Sequence, residues 1–350
     1  MRRDTRALLT AVTLMTAGCG ASNSEQATPG ATGGSSGSAG AASGGTGGGG
    51  TGGTGGSVGT AGGVGTGGSV GTGGTAGPGP DGGMPASCPA ETAYTEGVHI
   101  IMDVTWPATT AASAGTGKIH IWDLKEVTVT GNTIGGTTRG CGTVLPETPL
   151  NGIGTFAAGG SKILIEVPDA VWDQPTMPRF PMRGTRSGPA VGATVTVDWA
   201  AVVGATLADP ANAAWPDSYT MVTATDVDGD VNLGYTAAPR NGGGFVLPPT
   251  SVGIAGSAPA AERVFLVSRH VITLMGMRTS CDAQAGAANV KFFDSHVVGA
   301  RVTGGANASP AQTDFLDQNR MKYQVTRATF QARKVAANAT CVDVRTAFPM

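Results

Sequence analysis

The chain has 350 residues, a formal charge of −2 and 13% charged residues, about half the usual share. Near-neutral charge without a basic run argues against nucleic acid as a partner. No apolar stretch reaches the roughly 18 residues needed to span a bilayer, so the only membrane-directed segment is the first one.

Arg2, Arg3 and Arg6 open the chain, and a short apolar run from Ala7 to Ala17 follows, carrying Leu8, Leu9, Val12, Leu14 and Met15. This is the layout of a secretory signal peptide, over residues 1–18. Ala17-Gly18-Cys19 closes it. These residues resemble the lipobox of bacterial lipoproteins, with Thr16 where that family prefers Leu. The resemblance implies that the Cys19 thiol takes a diacylglycerol, that the peptide before it is removed, and that the new amino end is acylated. Several acyl chains anchor stably where one does not. Gly20, rather than Asp, after the cysteine points by the same resemblance to the outer membrane or cell surface. A periplasm-facing orientation is the alternative.

Residues 19–87 read as a disordered tether. Gly20 to Ser87 holds almost only Gly, Ser, Thr, Ala, Val and Pro, with Glu25 and Asp81 as its charges. Such a segment cannot bury enough apolar surface to offset chain entropy. Its random-coil span is roughly 45 Å, and fully stretched it exceeds about 200 Å. It lacks the strict triplet period of collagen.

Residues 88–350 read as a β-rich extracytoplasmic domain. The expected strands, in chain order, are 98–104, 118–122, 126–130, 162–167, 194–199, 219–225, 263–277, 290–302 and 324–334. Several alternate with period two, as Thr194-Val195-Thr196-Val197-Asp198-Trp199 does. The runs 263–277 and 290–302 flank Cys281 as a hairpin would. Ser309-Pro310-Ala311-Gln312 carries the signature of a helix start, with Phe315 and Leu316 facing inward. The expected fold class is therefore all-β, an antiparallel sandwich or barrel with one short helix near 310–320. Residues 168–189 and 239–261 read as long loops, for binding or as loose insertions.

Five cysteines are present. If Cys19 carries lipid, then Cys88, Cys141, Cys281 and Cys341 remain to form two disulfides, as export to an oxidising compartment favours. Three connectivities are open. Without a CxxC pair, zinc is disfavoured.

The candidate metal site is Asp226-Val227-Asp228-Gly229-Asp230-Val231-Asn232. Alternate carboxylates in a tight loop direct oxygens to one centre, which suits Ca²⁺. The segment resembles the start of EF-hand-type calcium loops. That resemblance implies Asp226, Asp228 and Asp230 as side-chain ligands and Asn232 as a backbone ligand. Val231 stands where those loops carry a glycine with positive φ, and Ala237 stands in place of the closing Glu.

The remaining candidates carry less. His99, His120, His270 and His296 lie in apparent strands and read as half-buried, hydrogen-bonded residues. Glu166 with Asp169, or Asp314 with Asp317, have the residue types of a glycosidase pair, but the latter two are expected on the solvent face of the helix. The five tryptophans read first as packing residues. No catalytic motif is evident. The leading expectation is a surface-anchored binding or structural envelope module with a Ca²⁺ loop, meeting an envelope or extracellular polysaccharide or protein partner. A secreted hydrolase of polysaccharide or peptide, and a small-molecule carrier barrel, are the alternatives.

Overall fold

The structure is a computed structural model, and it describes residues 87–109, 112–149, 162–240, 245–246 and 260–350. The signal peptide, Cys19, nearly all of the tether and most of the 239–261 loop lie outside these residues. Among the described residues nine strands of five or more residues build the fold: β1 (Ala93–Trp106), β2 (Gly115–Thr130), β3 (Thr133–Val144), β4 (Phe180–Arg186), β5 (Thr194–Val203), β6 (Tyr235–Pro239), β7 (Ala260–Ser280), β8 (Ala283–Val302) and β9 (Gln324–Val335). Three helices accompany them: α1 (Asp169–Trp172), α2 (Pro310–Gln318) and α3 (Cys341–Ala347). Among the described residues no helix is long and apolar enough to cross a membrane.

Eight of the strands close into a ring. Each pairs antiparallel with the next, in the order β1-β2-β3-β4-β5-β7-β8-β9, and β9 returns to β1. This is an up-and-down barrel, and where the ring closes no strand edge is left open. The hairpin around Cys281 is present as β7–β8. Inward positions alternate as the pleat demands. Val98, Ile100, Met102 and Val104 on β1 are at most 2% exposed, and they share a core with Ile119, Ile121 and Phe330 from the neighbouring strands and with Trp199 and Leu274 from across the ring. An eight-stranded barrel is just wide enough for side chains to fill it. Each fully buried aliphatic residue stabilises it by about 1.5–3 kcal/mol relative to exposure.

The structure departs from the sequence reading at several elements. Segments 118–122 and 126–130 are one strand, β2. Asp123 and Lys125 interrupt its apolar pattern, yet both face inward and are buried. β3 escapes a pattern search because glycine replaces side chains where space is missing. A Cβ on Gly136, whose φ is +133°, would lie 1.9 Å from the Glu126 carbonyl oxygen. At Gly140 it would lie 2.8 Å from the Trp172 ring. The supposed 168–189 loop contains α1 and β4, the strand that helps close the ring. Instead of a strand, residues 219–225 form a 3₁₀ turn at Tyr219–Met221, capped by Ser218, and a two-residue strand.

α2 starts where expected, with a reciprocal cap between Ser309 and Gln312. α3 was not expected, although Thr340 and Asp343 form a similar cap. It lies against the outer face of β1, β2 and β3. The Trp122 indole N–H donates to the Phe348 carbonyl at 3.0 Å there, and the Cys141–Cys341 disulfide ties the helix to β3. The other disulfide joins Cys88 to Cys281. Of the three connectivities, the structure has this one.

β8 has two parts. Ala283–Ala287 pairs with β9 on one side and β7 on the other; beyond Ala287 only β7 continues. The uncovered edge is met by side chains and short segments instead. The buried Asp317 carboxylate on α2 accepts the Val297 backbone N–H at 2.9 Å. The Ala308 N–H donates to the Ala300 carbonyl. A second apolar core lies here, with Val264, Val297, Ala300 and Leu316 among its buried residues.

Candidate functional site

The Asp226–Asn232 loop is pinched at its base. A bridge joins Asp226 to Gly234, and the Val227 and Gly234 N–H groups donate to the Gly234 and Thr225 carbonyls. Beyond Gly234 the chain enters β6. The three aspartates each offer a carboxylate oxygen, and these oxygens lie within 4.8 Å of one another. Among the described residues this is the group of acidic, histidine or cysteine side chains able to hold a metal ion.

The loop backbone turns through a left-handed residue at position 231. Val231 has φ +69°, the left-handed value, in the position where a glycine is usual; it is the one non-glycine residue with positive φ among the described residues. A β-branched residue is costly there. Its side chain is 89% exposed, so packing does not hold it. Hydrogen bonds do. The Gly229 and Val231 N–H groups donate to the two Asp226 carboxylate oxygens at 2.8 and 3.0 Å, and the Asn232 N–H donates to Asp230 at 2.9 Å.

The central carboxylate is incompletely satisfied. Asp228 is 8% exposed. Its Oδ2 accepts the Thr236 N–H at 2.7 Å, while its buried Oδ1 has no hydrogen-bond partner among the described residues. Burial pushes its pKa up, the Thr236 bond opposes this, and Asp230 and Asp226 add to the rise. Burial also works against the Asp230 carboxylate, but hydrogen bonds from Asn232 and Thr236 outweigh it and hold the pKa down. A buried anion without a partner is expensive unless a cation or a donor completes it. Ala237 is fully buried in β6, paired with Val264, and supplies no ligand. The Asn232 side-chain oxygen accepts from Arg301 at 3.4 Å.

The other candidates are dispersed. Glu166 pairs with Arg240, and Asp169 with Arg345, so they do not form an acid pair. Asp314 is exposed and accepts from Gln318, but Asp317 is buried, against expectation. It is turned inward by the uncovered edge of β8. It meets His296 Nδ1 at 3.0 Å, while His296 Nε2 lies 2.8 Å from the Pro216 carbonyl oxygen. His296 thus ties the Trp215–Pro216 segment to α2 rather than facing a hydroxyl nucleophile. His99 and His120 meet at 3.1 Å on the barrel exterior beside Trp122. Burial lowers the His99 pKa to about 4. Four tryptophans are buried packing residues; Trp215 is half-buried.

Sequence reasoning missed a charged cluster inside the ring. Lys125 is 1% exposed, and its Nζ sits 3.9 Å over the Trp199 ring. Burial lowers its pKa to about 8 and raises that of Asp123 to about 7. Lys125 Nζ, Asp123 Oδ2 and Thr138 Oγ1 are buried without a hydrogen-bond partner among the described residues. The i, i+2 spacing of Asp123 and Lys125 on a strand was the available signal.

No protein-family description matches the chain, and no curated protein matches it in sequence.

Proposed function

We propose that this chain is a lipid-anchored bacterial lipoprotein that displays a Ca²⁺-binding β-barrel as a binding module, at the outer membrane or cell surface. The observation that carries the reading is the unpartnered, buried Oδ1 of Asp228 within a triad of converging carboxylates. Hard oxygen ligands favour Ca²⁺, and its tolerance of irregular geometry and of water ligands suits a loop that lacks the closing Glu. Asp226, Asp228 and Asp230 would hold the ion by their side chains, and Asn232 by its carbonyl. The ion would brace the entry to β6. The lipobox-like Cys19 and the glycine-rich stretch after it support the anchored, outward-reaching display.

A Ca²⁺ concentration one hundred times Kd should stabilise the fold by about 2.7 kcal/mol. The thermal unfolding midpoint is therefore expected to rise with Ca²⁺ and fall with chelator, and Asp228→Ala to abolish the difference. Identical wild-type curves with and without the ion would overturn the metal reading. For the anchor, Cys19→Ser should move the protein from the membrane pellet to the soluble fraction; unchanged pelleting would refute attachment through that thiol.

A second reading, a small-molecule carrier, is favoured by an apolar cavity of about 140 Å³ where the second core meets the seam beside β8.

A further inference from the structure

Two cavities adjoin where β8 parts from β9. The first, of about 140 Å³, is lined by Leu145, Ile165, Val264, Leu266, Val297 and Leu316. The second, of about 290 Å³, is lined by Trp215, Asp217, Asp294 and Lys322. Ser295, Arg320, Met321 and Tyr323 line both. An apolar chamber thus opens beside a charged one.

Size limits the apolar part of an occupant. A cavity of about 150 Å³ lined by aliphatic and aromatic residues stays dry and takes benzene. The chamber here, of about 140 Å³, therefore has room for a group of six or seven carbons.

Charge limits the polar part. Asp294 is already engaged by Arg269, at 2.9 and 2.6 Å. Arg320 is engaged by Asp317, through its carboxylate at 3.2 Å and its carbonyl at 2.6 Å. Asp217 and Lys322 are both exposed, and neither has an ion-pair partner among the described residues. The charged chamber therefore offers one uncommitted anion and one uncommitted cation.

Its wall is fixed in advance. Three side chains on β7 and β8 hold the segment that carries Trp215. Arg269 donates to the Ala213 carbonyl at 2.5 Å, Lys291 to the Ala211 carbonyl at 2.8 Å, and His296 to the Pro216 carbonyl. A preformed wall lowers the ordering cost of binding.

We propose that the paired chambers bind a small zwitterion with an apolar group of six or seven carbons, namely a free apolar α-amino acid of phenylalanine size. The side group enters the apolar chamber, the ammonium meets Asp217, and the carboxylate meets Lys322. The assignment rests on the carrier reading above and narrows it to one ligand class.

The test is titration calorimetry of the whole chain with four probes: L-phenylalanine, 3-phenylpropanoate, 2-phenylethylamine and benzene. L-Phenylalanine should saturate one site, with each singly charged analogue and benzene at least tenfold weaker. Lys322→Gln, at an exposed position, should erase the preference over 2-phenylethylamine. Asp217→Asn should erase the preference over 3-phenylpropanoate. Val297→Trp, checked for a cooperative thermal transition, should fill the apolar chamber and abolish binding. Benzene binding as tightly as L-phenylalanine, or Lys322→Gln leaving all four affinities unchanged, would overturn the proposal. Saturable binding of only one singly charged analogue would overturn the zwitterion and leave the carrier reading standing. No saturable binding of any probe would overturn both.

Discussion

Along β8, residues 283–287 are hydrogen-bonded to strands on both sides, while residues 288–302 have a strand partner on one side only. The short first part seals a ring whose interior is packed with buried apolar side chains around a cavity of only about 20 Å³. The longer second part is sealed by a helix carboxylate, a tied loop and apolar residues, and it leaves two chambers. One strand thus serves both as barrel wall and as the rim of a cleft. Closure by strands satisfies backbone and excludes space together; closure by side chains satisfies backbone and leaves space.

Truncations on the two sides should separate these packing regimes most sharply. Phe330→Ala, inside the ring, should cost about 3–5 kcal/mol, because the close-packed interior cannot collapse around the void. Leu316→Ala, beside the apolar chamber, should cost about 2 kcal/mol, at the low end for such a change, because much of its neighbourhood is already open. Denaturant unfolding of the two variants measures this; equal costs would mean that the second core packs as tightly as the first.

The buried charges sharpen the contrast from within the ring. Burial raises the Asp123 pKa from 3.8 to about 7. The folded state therefore holds this proton more tightly than the unfolded chain does. Its contribution is present below about pH 4 and is lost as the pH rises to about 7. Relative to wild type, Asp123→Asn should gain roughly 2–4 kcal/mol of stability between those limits. The variant comparison matters because burial lowers the pKa of His270 to about 4, which acts with the opposite sign over a similar range. A difference that stays flat with pH would remove Asp123 from the account.

Much of the ring was legible because it obeys one rule, the period-two alternation seen in 194–199 and 98–104. The hairpin at Cys281 and the capped start of α2 were legible for equally local reasons. What was hidden depends on distant partners. Gly136 and Gly140 make β3 look like a loop until Glu126 and Trp172 are seen against them. Asp123 and Lys125 break the alternation of β2 until the opposing Trp199 is known. Asp317 belongs to a helix that buries Gln312, Thr313 and Asp317 beside Leu316, and the edge of β8 sets the need for its carboxylate. The clustering of Asp226, Asp228 and Asp230 was legible from their alternate spacing, and the positive φ at Val231 from its place in the pattern. The loop's incomplete satisfaction, the Asp228 Oδ1, was visible only in three dimensions, as were the paired chambers.

The smallest expected effect concerns the loop backbone. Val231 pays for a left-handed conformation with no packing in return, so Val231→Gly should stabilise the protein by about 1 kcal/mol. Loss of stability instead would show that the valine side chain has a role that its exposure does not reveal.

Calorimetric titration of Ca²⁺ into chelator-treated protein tests the central assignment most directly. The account predicts one saturable site in the wild type, lost or weakened at least tenfold in Asp228→Asn, which keeps the size of the side chain and removes its charge. It also predicts weakening as the pH falls, since the carboxylates must be ionised to bind. An absence of binding heat and of any shift in unfolding midpoint, or an unchanged affinity in Asp228→Asn, would contradict it.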